Sequence, residues 1–218
     1  MKRLTVLLLV TALSLGCMAC GMGRGDDTQN SQNTQENTQT ESNTENNTEN
    51  NTENNNTEVQ LQITDANEIL TKVWETYAEN EKFAAVGGHF GSYRNGGPAK
   101  YDITKVEDLG ASFCIPQESI SMVDDVATLQ HGMNVNNFSA AAYHVTDTAN
   151  MQKLIDDIQN MTMNNQWICG FPERLVIITI GDEYVVTAFG SGDIVDNFKT
   201  KLLGLYDNVP ELVVDEDL

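Results

Sequence analysis

Basic side chains are scarce: 12 Lys and Arg stand against 32 Asp and Glu, a formal charge of −20 over 218 residues. Phosphate binding needs clustered Lys and Arg, so a nucleic-acid footprint is excluded. The uncharged apolar run Leu4–Gly16 is 13 residues long. A bilayer core needs about 20, so this run does not span one. Catalytic and metal motifs are missing as well. There is no H-E-x-x-H, no G-x-S-x-G and no calcium loop of the D-x-[DN]-x-[DN]-G type. The three imidazoles, His89, His131 and His144, include no i,i+4 pair. Of four cysteines, two fall within the first 20 residues, and no C-x-x-C follows them. A Gly-rich stretch runs from Gly87 to Gly91 and again from Asn95 to Pro98. It lacks the P-loop Lys and the Rossmann spacing, so it is expected to be a loop. A catalytic site and a metal site are therefore not expected, and the chain is read as a non-enzyme.

What is present begins with an address. Met1-Lys2-Arg3 followed by the apolar run has the form of an export signal. The residues after it, Gly16-Cys17-Met18-Ala19-Cys20-Gly21, resemble a bacterial lipobox, a small residue directly before a Cys. That resemblance implies cleavage at the Cys and a diacylglycerol on its thiol. Cys20, flanked by Ala19 and Gly21, is the expected site, and Cys17 is the alternative. Either outcome leaves no dithiol from this C-x-x-C pair. The expected location is the outer face of the bacterial cytoplasmic membrane, with no cofactor other than the covalent lipid.

Residues 21–58 contain no aromatic side chain and settle into a TENN repeat. Asn is a poor helix former, and the segment has too little apolar surface to offset chain entropy. It is expected to be a disordered tether between a signal at 1–20 and a folded domain at 59–212. A flexible coil of that length spans roughly 35 Å. Residues 213–218 are expected to be an acidic tail.

Periodicity begins at Val59. Asp65 and Glu68 are placed as a capping-box-like start for a helix over 66–80. Thr104 and Glu107 suit the start of a short helix over 105–112. The run 117–130 is read as helix. Ser139–Val145 reads as a strand and Thr148–Met161 as a helix with Leu154, Ile155 and Ile158 on one face. Leu175–Ile180 is an unbroken apolar run, as expected of a strand covered on both faces. A turn at Gly181-Asp182-Glu183 leads to a returning strand at Tyr184–Phe189, and a last helix carries Ile194, Phe198 and Leu202. The expected fold is α+β: a small sheet of three or four strands, C-terminal order β-α-β-β-α, with helices packed on it. A thioredoxin-like variant shares that order, with Pro172 before its penultimate strand.

Within the folded part, Cys114 and Cys169 are a possible disulfide outside the cytoplasm. The most distinctive run is Asn164–Glu173, NNQWICGFPE. Trp167, Cys169, Phe171 and Pro172 are its candidate binding rim; the competing reading is a plug closing a helix against the sheet. A hydrolase would need His131 or His144 in a pocket beside an acid.

The layout of signal, polar spacer and α+β domain resembles small lipoproteins of anaerobic Gram-positive bacteria. The runs AAYHV (141–145), QWICGFPE (166–173) and YVV (184–186) carry the likeness. Some members are labelled bacteriocin transport accessory protein. The resemblance implies a family with an α+β domain rather than an activity; that label gives the alternative reading, a thioredoxin-like accessory factor in export or maturation of secreted peptides. The residues themselves point to a lipid-anchored binding domain whose partner is a protein, a peptide or an envelope component. Residues 59–218 hold nine basic and 24 acidic residues, a charge of −15. Such a domain is repelled by anionic surfaces, which favours a cationic peptide as partner.

The anchor is directly testable. In cells fed a labelled fatty acid, wild type and Cys17→Ala should carry the label and Cys20→Ala should not. Label retained in the double variant would contradict the lipobox reading.

Overall fold

The structure, a computed structural model, describes residues 62–133, 137–168 and 170–218. The signal, Cys17, Cys20, the tether and Cys169 lie outside the described residues.

The C-terminal half builds the centre of the fold. Strands β5 (Phe138–Val145), β6 (Arg174–Ile180) and β7 (Tyr184–Gly190) are buried almost throughout. Successive side chains of a strand point to opposite faces. Val176, Ile178, Val186 and Ala188 therefore enter one core, and Leu175, Ile177, Val185 and Phe189 the other. Each face needs its own cover. Helices α1 (Ala66–Glu75) and α4 (Gly192–Leu203) supply Ile69, Leu70, Val73, Val195, Phe198 and Leu202 to the first face. Helices α2 (Val106–Phe113) and α3 (Met151–Met163) supply Leu109, Phe113, Leu154, Ile155 and Ile158 to the second. Alanines at 127, 140, 142 and 188 keep the first face low.

The sheet has eight strands rather than three or four, and this corrects the expected fold. With β1 (Ala85–His89), β2 (Ser92–Asn95), β3 (Ala99–Lys100), β4 (Val123–His131) and β8 (Pro210–Asp217), the order is β2-β1-β4-β5-β7-β6-β8, and β3 pairs β4. All of the recorded pairings are antiparallel. A thioredoxin-like sheet needs parallel neighbours, so that variant is contradicted. The β-α-β-β-α order does occur, as β5-α3-β6-β7-α4, but an eighth strand follows it.

Each missed strand has a local cause. Residues 117–130, expected as helix, carry Ile120, Val123 and Val126 at a three-residue spacing that a helix and a bulged strand share. They form a 3-10 turn (Gln117–Met122) and then β4. A bulge between Val123 and Asp125 inserts Asp124. One extra residue shifts the alternation, so Val123 and Val126 enter the same core. The Gly-rich stretch, expected as loop, is β1, β2 and β3. β1 pairs β4 only at Ala85 and Val86, and β3 then takes over at Thr128 and Ala127. The three backbones converge at Gly87, where a Cβ would lie 2.3 Å from the Ala99 nitrogen and 2.7 Å from the Thr128 oxygen. The Thr128 hydroxyl fastens the departing strand. It accepts from the Gly88 N–H and donates to the Gly88 carbonyl, each at 2.9 Å.

Residues 213–217, expected as a tail, are the outer half of β8. Arg174 on β6 holds them there, with ion pairs to Asp215 at 2.6 Å, Asp217 at 2.8 Å and Asp196 at 3.0 Å.

The expected helix starts fared unequally. Asp65 accepts from the Glu68 N–H at 2.8 Å, as a cap should. Glu68 bonds Lys72 and Thr64, which hold its carboxyl down at about 2. Asp125 accepts from the Ala66 N–H at 2.7 Å and ties the helix to β4. Thr104 does not cap α2; its hydroxyl and N–H both donate to Asp102.

Candidate functional site

The connection from α3 to β6, residues 164–173, meets the β4–β5 connection at one end of the sheet. The Asn137 amide donates to the Gly170 carbonyl, while the Asn137 carbonyl accepts from the Ser191 N–H at 2.7 Å. This approach depends on Gly190. A Cβ there would fall 2.1 Å from the Asn137 oxygen. Glu173 anchors the far side of the connection. Its N–H donates to the Gly190 carbonyl, its carbonyl accepts from Leu218, and its carboxylate accepts from the Gly192 N–H at 2.8 Å. That last bond caps the N-terminus of α4 with a negative charge, the favourable sign there.

The run divides between the two expected roles. Trp167 is half-buried, its ring 5.4 Å from that of Phe189, and Pro172 is buried. These two close α3 against the sheet. Phe171, 72% exposed, belongs to the rim. Cys169, the fourth candidate, lies outside the described residues. The structure adds one rim residue that the sequence reading missed. Ile168 is 93% exposed; Met133, on the β4–β5 connection, is also exposed, at 54%. A signal for Ile168 existed: it is an apolar residue in a polar run that fits neither a 3.6-residue nor a 2-residue period.

Beside this rim lies a groove of about 630 Å³ lined by Glu173, Arg174, Asp193, Asp196 and Asp217. Arg174 is its one base and already serves three carboxylates. The groove is therefore acidic, and it starts two residues after Phe171. An apolar edge next to an acidic trough suits a ligand that is apolar on one side and cationic on the other.

The remaining candidates do not converge. Cys114 is buried at the C-terminal end of α2, in a left-handed conformation (φ 55°). The Asn165 amide approaches its Sγ at 3.8 Å, and burial pushes the thiol up, away from reactive thiolate. Its expected disulfide partner, Cys169, lies outside the described residues. His131 stacks on Phe83 at 4.8 Å, and its Nδ1 accepts from the Met133 N–H at 3.1 Å. Burial lowers its pKa. His144 pairs with Asp124, the bulge residue, at the surface near the start of β4. His89 packs against Tyr101 beneath the β1–β2 hairpin. The three imidazoles thus occupy three separate places. Among the described residues no three His, Cys, Asp or Glu side chains come together as metal ligands.

No protein-family model, no curated protein and no solved structure matches the chain.

The division of the run into plug and rim has a stability signature. In urea unfolding, Trp167→Ala should cost about 2–3 kcal/mol, because it empties a packed site. Phe171→Ala should stay within about 0.5 kcal/mol, as at an exposed position. Equal losses at both residues would contradict the division.

Proposed function

We propose that the chain is a lipid-anchored, extracytoplasmic binding protein of the bacterial envelope that captures a cationic, amphipathic peptide segment. The anchor rests on the lipobox-like residues around Cys20, and the tether supplies reach from the membrane. The carrying observation is the pairing of exposed Ile168 and Phe171 with the acidic groove at Glu173, Asp193, Asp196 and Asp217. Exposed apolar side chains grouped on one anchored loop and rimmed by polar residues mark an interaction site. Binding there needs little ordering, since the loop is already held by Asn137, Gly190 and Glu173.

An accessory role in handling secreted peptides is compatible with this reading. Among the described residues nothing favours thiol exchange: the recorded strand pairings are antiparallel, and Cys114 is buried.

The test is fluorescence anisotropy with a labelled Lys/Leu peptide and a Glu/Leu peptide of equal apolar content. The Lys/Leu peptide should bind and weaken as salt is raised, while the Glu/Leu peptide should not bind. Ile168→Ser with Phe171→Ser should weaken binding about tenfold or more, the effect of about 1.4 kcal/mol of lost apolar burial. Equal binding of both peptides, or no effect of the double variant, would contradict the proposal.

A further inference from the structure

The β1–β2 hairpin leaves the sheet at Gly87 and Gly88 and carries two large aromatic side chains into solvent. Phe90, in its turn, is 74% exposed and Tyr93 is 50% exposed. Neither is explained by core packing or by the rim at Phe171. Both line a cavity of about 110 Å³ between the hairpin and α2. Its inner wall is Tyr101 and Phe113, both buried. His89 lies beside them.

The rings stand across one another rather than in a stack. Phe90 and Tyr93 meet at 88° with centroids 6.4 Å apart. Tyr101 and Phe113 meet at 83° and 6.1 Å. His89 and Tyr101 meet at 66° and 5.6 Å. In a perpendicular pair the edge of one ring meets the face of the other, an ordinary packing of aromatic side chains. The one charged side chain of the lining is Asp108, and no Lys or Arg contributes to it. The Tyr101 hydroxyl donates to the Lys105 carbonyl at 3.1 Å, which turns its polar end away and fixes the ring. Burial and then the Asp108 charge push the Tyr101 phenol up to about 12, so it stays neutral. His89 adds a buried Nδ1 with no protein partner among the described residues.

We infer that this aromatic box is a binding site for a free, compact quaternary ammonium solute. Ring faces attract a cation through their quadrupole, and a methylated ammonium brings no N–H that the rings would leave unsatisfied. Asp108 supplies the counter-charge. The volume excludes drug-sized ligands, which occupy about 300–1,000 Å³, and fits a small head. The site is separate from the peptide rim, and neither reading depends on the other.

Choline is the probe, with tert-butanol as its neutral counterpart. Both are titrated into the full chain in nonionic detergent and followed by calorimetry and by aromatic NMR shifts. Choline should bind in the millimolar range, as expected of a solute this small, and shift the rings of Tyr93 and Tyr101. Tert-butanol should do neither. Tyr93→Ala and Asp108→Asn should each weaken choline about tenfold, and Tyr93→Phe should retain it. Because Tyr93 and Asp108 are exposed, their variants should unfold at the wild-type temperature, so a loss of binding is not a loss of fold. Equal binding of tert-butanol, unchanged binding by Tyr93→Ala and Asp108→Asn, or no shifts up to about 100 mM choline would each overturn the inference.

Discussion

Two adjacent strands, β6 and β7, have almost no polar side. Leu175 to Ile180 and Tyr184 to Gly190 are buried whichever way each residue points. A sheet with such a centre is stable in water only between two layers of helix. That need sets the roles of the described helices, with α1 and α4 on one face and α2 and α3 on the other. It also restricts where anything can bind. With both faces covered, the ends and edges of the sheet are what remain for a partner. Ile168, Phe171 and the acidic groove lie at one end, and the aromatic box lies where β1 peels away from β4.

The acidity follows the same geography. Asp215 and Asp217 sit on edge strand β8, and Arg174 and Lys199 hold part of that charge against the sheet. Exposed edges invite pairing with other chains, and charged side chains are a common guard against it. Two copies of β8 would bring like charges together, which disfavours self-association through this edge. At the groove beside Phe171, Asp196 and Asp217 are paired with these same bases, but Glu173 and Asp193 have no Lys or Arg partner among the described residues, so the groove keeps a net negative charge that attracts a cation. One composition thus serves protection at the edge and recognition at the end.

Much of the centre was legible in the sequence because its period was clean. The strand at 139–145, the unbroken run at 175–180, the hairpin turn at 181–183 and the helical faces of α1, α3 and α4 all correspond to elements found. The errors arose where one residue changed the period or where partners lay far away in the chain. Asp124 converts a strand into an apparent helix by bulging. Gly87 and Gly88 look like a flexible loop until Thr128, 40 residues on, fixes them. β8 looks like a charged tail because its partner, Arg174, is distant. The rim was half legible: the run around Trp167 and Phe171 stood out, but which side chain faced water depended on Phe189 and Asn137. The aromatic box had no local signal, since its rings come from β1, β2, the segment after β3, and α2.

The account rests most on binding at the sheet end that carries Ile168 and Phe171. Amide hydrogen exchange, measured with and without a saturating Lys/Leu peptide, locates that contact without any substitution. The account predicts slower exchange in 165–173, in 131–133 and at Gly190–Asp193, with the rest of the domain unchanged. Protection confined to β8, as for a strand added at the free edge, or protection spread over both helical layers, would contradict it.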